Sequence, residues 1–344
     1  MRHRTRLADC LRQLAAGLVC PRFPRTDLER LGTALEILGT GGEAAQSDNE
    51  APVFVLATSW RSGSTLLQRI LCTDPSAFLW GEPFGRMALL PQITSALCAI
   101  TREWPPKDFW IPADVAAASL ATRWIANLYP LGEDFWMALR GFLLRWMGGP
   151  ANRMGFRRWG MKEVRLGAAE ARLLTWLFPK ARIVVLVRHP FDAYCSLSRA
   201  IQPGVPWRMF SRWPDHPLTG AVSFARHWNA LTTSWLNPLA GENAVVVRYE
   251  DLVAGRVDFR SLEAHLGLRL HEAQALGAKV GATPDRGELH AYERWLIAHE
   301  ARAGMRALGY HASGTTDEVM PGRGMGILRE SRLNNPAEGG NSGS

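Results

Sequence analysis

Five consecutive residues, Arg61-Ser62-Gly63-Ser64-Thr65, bring together a guanidinium, three hydroxyls and a glycine directly behind the apolar run Val53–Thr58. The run reads as a buried strand, and a helical stretch, Thr65–Cys72, follows at once. A helix that starts straight after a strand points free N–H groups and the positive end of its dipole at whatever sits in the loop, an arrangement that suits a phosphate. Gly63 lets the backbone come close, Ser64 and Thr65 add hydroxyl donors, and Arg61 adds a charged fork. The same residues would also serve as a plain Ser/Thr helix cap. The loop is not a Walker A motif, because no lysine precedes the hydroxyl pair. With no acidic strand end to hold Mg²⁺ either, nucleoside triphosphate hydrolysis lacks its main electrostatic parts.

A second segment, Ile183-Val-Val-Leu-Val-Arg188-His189-Pro190, ends another buried run in an arginine, and Ser196 lies eight residues after Arg188. Pro190 suits the first turn of a helix, so Arg188 and Ser196 lie near enough to hold one phosphate at a sheet edge. The bland alternative is an arginine that caps the edge or pairs with Asp192. Four further residues could handle protons or charge. Glu82 follows the run Ala77–Trp80, Lys162 lies in Trp159–Val164, and His189 and His227 are the histidines nearest these segments. Pairing of Glu82 with Arg86, and of Lys162 with Glu163, are the structural alternatives for the first two.

These residues need a scaffold that gathers strand ends. Val53–Thr58, Ala77–Trp80, Trp159–Val164, Ile183–Val187 and Ala244–Val247 alternate with helical stretches at Gly167–Phe178, Phe191–Ile201 and Ala221–Leu239. Such alternation predicts an α/β fold of P-loop-like, three-layer type, with a short, mainly parallel sheet flanked by helices. Residues 87–157 form a long, Trp-rich and mostly helical insertion that could wall an acceptor site. The loop Pro203–Gly220 could be a lid. Residues 1–50 read as an N-terminal basic helix followed by a polar linker, 51–311 as the main domain, and 312–344 as a flexible tail rich in Gly, Ser and Asn.

Composition narrows the partners. The 344 residues are 47% hydrophobic and 21% charged, enough for a sizeable core and too mixed for a fibrous or disordered chain. No uncharged apolar run reaches the length of a membrane span. Five scattered cysteines without a C-x-x-C pair argue against a disulfide scaffold or a cysteine zinc site and fit a reducing, cytoplasmic setting. The net charge of +8 suits an anionic ligand, an acidic acceptor or a membrane surface. No nucleic-acid reader motif accompanies it.

The first two motifs, in this order, resemble the sulfotransferase superfamily that uses 3′-phosphoadenosine 5′-phosphosulfate (PAPS). Val247-Arg-Tyr249-Glu-Asp-Leu252 and the closing Ala303-Gly-Met-Arg-Ala-Leu-Gly-Tyr310 resemble family segments as well, so the likeness runs from Val53 to Tyr310. The resemblance implies that Arg61, Ser62, Gly63, Ser64 and Thr65 bind the donor's 5′-phosphosulfate. It implies that Arg188 and Ser196 bind its 3′-phosphate and that Tyr249 lies near the adenine. The R-S-G-[ST]-T loop is similar to that of tyrosylprotein sulfotransferases, and Gly81-Glu82 resembles the pair that provides their base, though its spacing is one residue longer. Glu82 as base, with Arg61 and Lys162 as cations on the transferring group, would make a catalytic set that needs no metal. The acceptor stays open between a peptidyl tyrosine or other phenol and a glycan or small-molecule hydroxyl. The alternatives are a non-catalytic nucleotide-binding protein of the same fold and, less favoured, a P-loop kinase.

Overall fold

The computed structural model describes residues 26–40, 51–83, 87–111, 120–122, 126–200, 212–213, 216–217, 220–236, 244–277 and 289–311. Helix α1 (Leu28–Leu38) comes first, followed by β1 (Val53–Ala57), α2 (Ser64–Leu71) and β2 (Ala77–Trp80). The insertion then supplies α3 (Leu89–Leu97), a short 3₁₀ turn (Lys107–Phe109), α4 (Gly132–Leu143), a π-helical turn (Leu144–Gly148) and α5 (Gly149–Arg153). Next come β3 (Arg158–Glu163), α6 (Ala168–Leu177), β4 (Arg182–Val187) and α7 (Pro190–Ala200). A two-stranded ribbon, β5 (Arg212–Trp213) and β6 (His216–Pro217), precedes α8 (Ala221–Ser234) and β7 (Ala244–Arg248). The chain closes with α9 (Tyr249–Val253), α10 (Phe259–Leu266), α11 (Glu272–Gly277), α12 (Ala291–Glu300) and α13 (Arg302–Leu308).

The main sheet has five strands in the order β2-β3-β1-β4-β7, all parallel. β1 sits at its centre, pairing Val55 with Lys162 on one side and with Val184 on the other. Its five residues are all buried, because helices cover both faces and a parallel strand in that position has no polar side. Alternation along β1 sends Phe54 and Leu56 into one core, with α1, α3, α4 and α6, and Val53, Val55 and Ala57 into the other, with α2, α10 and α11. On the first face the rings of Phe54, Trp159 and Phe178 meet edge-on or tilted at 5.5 to 6.4 Å. Truncating Trp159, which is fully buried among them, would cost about 3–5 kcal/mol. A third cluster joins α7, α8, α12 and α13 through Phe191, Tyr194, Phe224, Trp228 and Ile297.

The three-layer parallel architecture predicted from the apolar runs is present, and each of the five predicted strands lies within a residue of its observed bounds. Among the helical stretches, Ala221–Leu239 ends early, with α8 stopping at Ser234. Helix α1 has no counterpart among the predicted elements. Asp27 caps it by accepting from the amides of Glu29 and Arg30 at 3.0 and 3.1 Å, and Leu31, Ala34, Leu35 and Leu38 bury its inner face. Residues 1–25, most of the 39–50 linker, most of the 203–220 loop and the 312–344 tail lie outside the described residues. Among the described residues, no helix is long and apolar enough to cross a membrane.

Candidate active site

Every strand of the main sheet delivers a polar residue to the same edge, the one where the carboxyl ends of the strands emerge. Beside the central strand the chain turns from one flank to the other, the position at which open α/β sheets hold ligands. Between β1 and α2 the loop bends sharply: Arg61 and Gly63 both take left-handed backbone conformations, with φ of 62° and 89°. Arginine tolerates that conformation at a cost that glycine avoids. At Gly63 a side chain is excluded for a second reason, since a Cβ there would strike the ring of Tyr249.

The loop is tied to the other segments singled out in the sequence. Arg61 Nε donates to Ser196 Oγ at 3.0 Å, and Arg188 Nη1 donates to the Arg61 carbonyl at 2.7 Å. The Arg188 guanidinium lies over the Tyr249 ring, 4.3 Å from its centre. Arg188 thus bridges the loop and Tyr249 rather than pairing with Asp192. Desolvation first, and then the neighbouring Arg188, lower the pKa of Arg61, as expected for two guanidiniums brought side by side without a counter-anion. Among the described residues, Thr58 Oγ1, Ser59 Oγ, Ser62 Oγ and Arg188 Nε are buried without a hydrogen-bond partner. Buried donors with nothing to bond are costly, and this set fits an anionic ligand rich in acceptor oxygens.

On the other flank of β1, Glu82 and Lys162 meet. The Lys162 amide donates to the Gly81 carbonyl at 3.3 Å, which aligns the end of β3 with the exit of β2. Lys162 Nζ then lies 2.6 Å from Glu82 Oε1. The lysine side chain is 7% exposed and the glutamate 28%, so the carboxylate is the member of the pair that solvent or a substrate reaches. Arg165 Nη2 approaches the second oxygen of Glu82 at 3.4 Å and Glu163 Oε2 at 2.7 Å. The Arg165 guanidinium also lies 5.8 Å from the ring of Trp60, the residue just before Arg61. The cluster around Glu82 therefore abuts the loop that holds Arg61. Chemically the edge offers an anion cradle on one side and a cation-flanked, half-open carboxylate on the other.

The chain matches the sulfotransferase family over residues 52–272, more than half of its length. It belongs to that family. No curated protein matches it. Among solved structures, this sulfotransferase is similar to the sulfotransferase domain of the Synechococcus PCC 7002 olefin synthase, with 20% identity over 76% of this chain and 95% of that one and a TM-score of 0.39. It is similar to a sulfotransferase from Alicyclobacillus acidocaldarius, with 18% identity over 76% and 97% of the two chains and a TM-score of 0.39. A Mycobacterium avium sulfotransferase is similar at 17% identity over 82% and 85%, with a TM-score of 0.41.

Two histidines considered as bases in this sulfotransferase have structural work instead. The His189 amide donates to Glu250 Oε1 at 2.7 Å, its Nδ1 accepts from the Phe191 amide at 3.2 Å, and its Nε2 lies 3.2 Å from the His311 carbonyl. Tyr310 donates to the second oxygen of the same glutamate at 2.9 Å. The closing Ala303–Tyr310 segment is thereby fastened to the start of α7 and to α9. His227 packs at a tilt on Trp60 with ring centres 5.1 Å apart, and burial pushes its pKa down to about 3. It stays neutral under the Trp60–Arg165 pair. Sequence reasoning missed Arg165 and Trp60, and weighed Glu163 only as a partner for Lys162. The available signal was Arg165 just past a predicted strand, two residues from Glu163. Arg86, the partner considered for Glu82, lies outside the described residues.

Proposed function

We propose that this sulfotransferase takes a sulfuryl group from PAPS and passes it to an acceptor hydroxyl by in-line displacement. One observation carries the reading: Arg188 binds the main chain of the Arg61 loop while it lies on Tyr249, and Arg61 in turn binds Ser196. Three segments far apart in sequence thus converge on one anion cradle. In the proposed complex, Ser62, Gly63, Ser64 and Thr65 hold the 5′-phosphosulfate through amides and hydroxyls. Arg188 and Ser196 hold the 3′-phosphate, and Tyr249 lies by the adenine. Arg61, bonded to Ser196 by Nε and carried by the loop through its main chain, stands between the two phosphate positions.

The chemistry then follows from the other flank. Glu82 takes the proton of the acceptor hydroxyl as the acceptor oxygen forms its bond to sulfur. The bond from sulfur to the bridging oxygen of the 5′-phosphate breaks, and its electron pair leaves on adenosine 3′,5′-bisphosphate. Lys162 and Arg61 offset the charge that grows on the transferred group and the leaving phosphate. Lys162 Nζ carries three N–H donors, so one can stay on Glu82 while another meets the sulfuryl group. Arg165, on the other carboxylate oxygen, is the positioning residue that keeps Glu82 oriented. Residues 51–311 would form the transferase unit and 87–157 the acceptor wall. A peptidyl tyrosine or phenol and a glycan or small-molecule hydroxyl both suit the carboxylate. A reducing, cytoplasmic setting, in which the thiols of Cys72, Cys98 and Cys195 stay reduced, goes with this reading.

Calorimetric titration with adenosine 3′,5′-bisphosphate, ADP and ATP in the absence of metal tests the donor. Tight binding of the bisphosphate alone is the expected result, and binding of ATP only with Mg²⁺ would overturn the reading in favour of a kinase. Cleavage of labelled PAPS that disappears in Glu82→Gln separates an enzyme from a nucleotide-binding protein of the same fold.

A further inference from the structure

The helical stretch before β3 turns an unusual surface to solvent. Its inner stripe consists of Trp136, Leu143, Met147 and Ala151, all buried. Phe135, Phe142 and Trp146 each stand one position before a member of that stripe, so they share one flank of the helix. They are 40%, 43% and 37% exposed, and the rings of Phe142 and Trp146 lie against each other with centres 5.5 Å apart. Arg145 and Arg153 each stand two positions after a buried residue, on the outer side, and both are exposed. Met154, 50% exposed, and the exposed Arg157 end the stretch. From Arg140 to Arg158 the chain carries five arginines and no acidic residue.

Scattered apolar residues on a surface need no explanation, but adjacent aromatic rings beside the exposed Arg145, Arg153 and Arg157 do. We propose that this face docks on a lipid bilayer bearing anionic headgroups. The rings of Phe135, Phe142 and Trp146 would enter the headgroup layer, and Arg145, Arg153 and Arg157 would meet lipid phosphates. Amphipathic aromatic rings favour that layer, and basic side chains are drawn to an anionic leaflet. The excess of +8 over the whole chain acts in the same direction. A protein partner would have to supply acidic groups at matched positions, whereas an anionic bilayer supplies them everywhere along the stretch. Docking would also orient the sheet edge. Trp80 Nε1 donates to the Met147 carbonyl at 3.0 Å, two residues before Glu82, so the bilayer would lie about one helix diameter, roughly 10 Å, from that edge. The inference is independent of the donor assignment, and its test reads partitioning rather than turnover.

The full chain is sedimented with vesicles of phosphatidylcholine alone and with vesicles in which about a third of the lipid is phosphatidylglycerol, at low and at physiological salt. The expected result is binding to the anionic vesicles that weakens with salt. Each arginine contributes about fivefold to the partition coefficient, so R145E/R153E should lower it by at least about 25-fold. F142S should lower it severalfold, and R2Q/R4Q/R6Q, in the N-terminal arginine cluster, should leave it nearly unchanged. Phe142, Arg145 and Arg153 are exposed, and unchanged thermal midpoints in every variant confirm intact folds. If R145E/R153E fails to fold, F142S carries the test. The proposal is overturned by failure to bind anionic vesicles, or by binding that survives both surface variants. It is overturned equally by loss only in the N-terminal variant, or by a dimer in solution that F142S dissociates.

Discussion

Replacing Arg188 by alanine removes three contacts at once: the bond to the Arg61 carbonyl, the stacking on Tyr249 and, in the proposed complex, the charge on the 3′-phosphate. The first two hold the loop in shape, so their loss weakens every nucleotide that uses the loop. A cation–π contact of this kind is worth about 0.5–2 kcal/mol and an ordinary hydrogen bond about 0.5–1.5 kcal/mol. The third affects only a ligand that carries a 3′-phosphate, and a hydrogen bond between charged groups is worth about 1.5–3 kcal/mol. Adenosine 3′,5′-bisphosphate and ADP, titrated side by side into the parent and into Arg188→Ala, separate the two effects. Both affinities should fall through the loop term. The ratio of bisphosphate to ADP affinity should fall further, by roughly 10- to 150-fold, through the phosphate term alone. An unchanged ratio would refute the reasoning even if both affinities collapsed, because Arg188 would then be only a brace for the loop.

Glu82→Gln should reduce turnover by about 10²–10⁴-fold while leaving bisphosphate affinity within a factor of a few, measured by single-turnover transfer and calorimetry. Arg165→Gln should likewise lower kcat with little change in donor affinity, and an equal loss of both would make Arg165 a purely structural residue. Gly63→Ala should weaken the bisphosphate and ADP alike, since the new methyl would strike Tyr249 and Gly63 sits at a φ of 89°. His227 keeps a proton far less readily in the fold, at about 3, than its usual 6.5. The unfolded chain therefore binds that proton first as pH drops below about 6.5, and stability falls with it toward pH 3, by up to about 1.4 kcal/mol per pH unit. Thermal midpoints recorded downward from neutral pH should show that slope, and His227→Gln should flatten it.

The inner strands were legible because they are buried on both faces. A parallel strand at the centre of a sheet has to be apolar throughout, so Val53–Ala57 and Arg182–Val187 stand out from any polar surroundings. The loop was legible for a related reason, since glycine and hydroxyl residues directly after a strand have few other uses. Helix α1 was hidden because its inner residues, Leu31, Ala34, Leu35 and Leu38, are no more apolar than those of the basic segment before it. What distinguishes α1 is the partner it packs on, visible in the Arg172 Nη1 bond to the Leu28 carbonyl at 2.9 Å. The same limit applied at the edge of the sheet. Glu82 and Lys162 could each be picked out by position, with pairing to their nearest opposite charges, Arg86 and Glu163, as the alternative. β2 and β3 are adjacent in the sheet although the whole insertion separates them in the chain, and that pairing brings Lys162 to Glu82. It leaves Glu163 to Arg165, which then reaches back to the second oxygen of Glu82. Exchanging a neighbour's charge for one 80 residues away requires the strand order, and strand order is set by how whole faces bury, not by any residue in the motif.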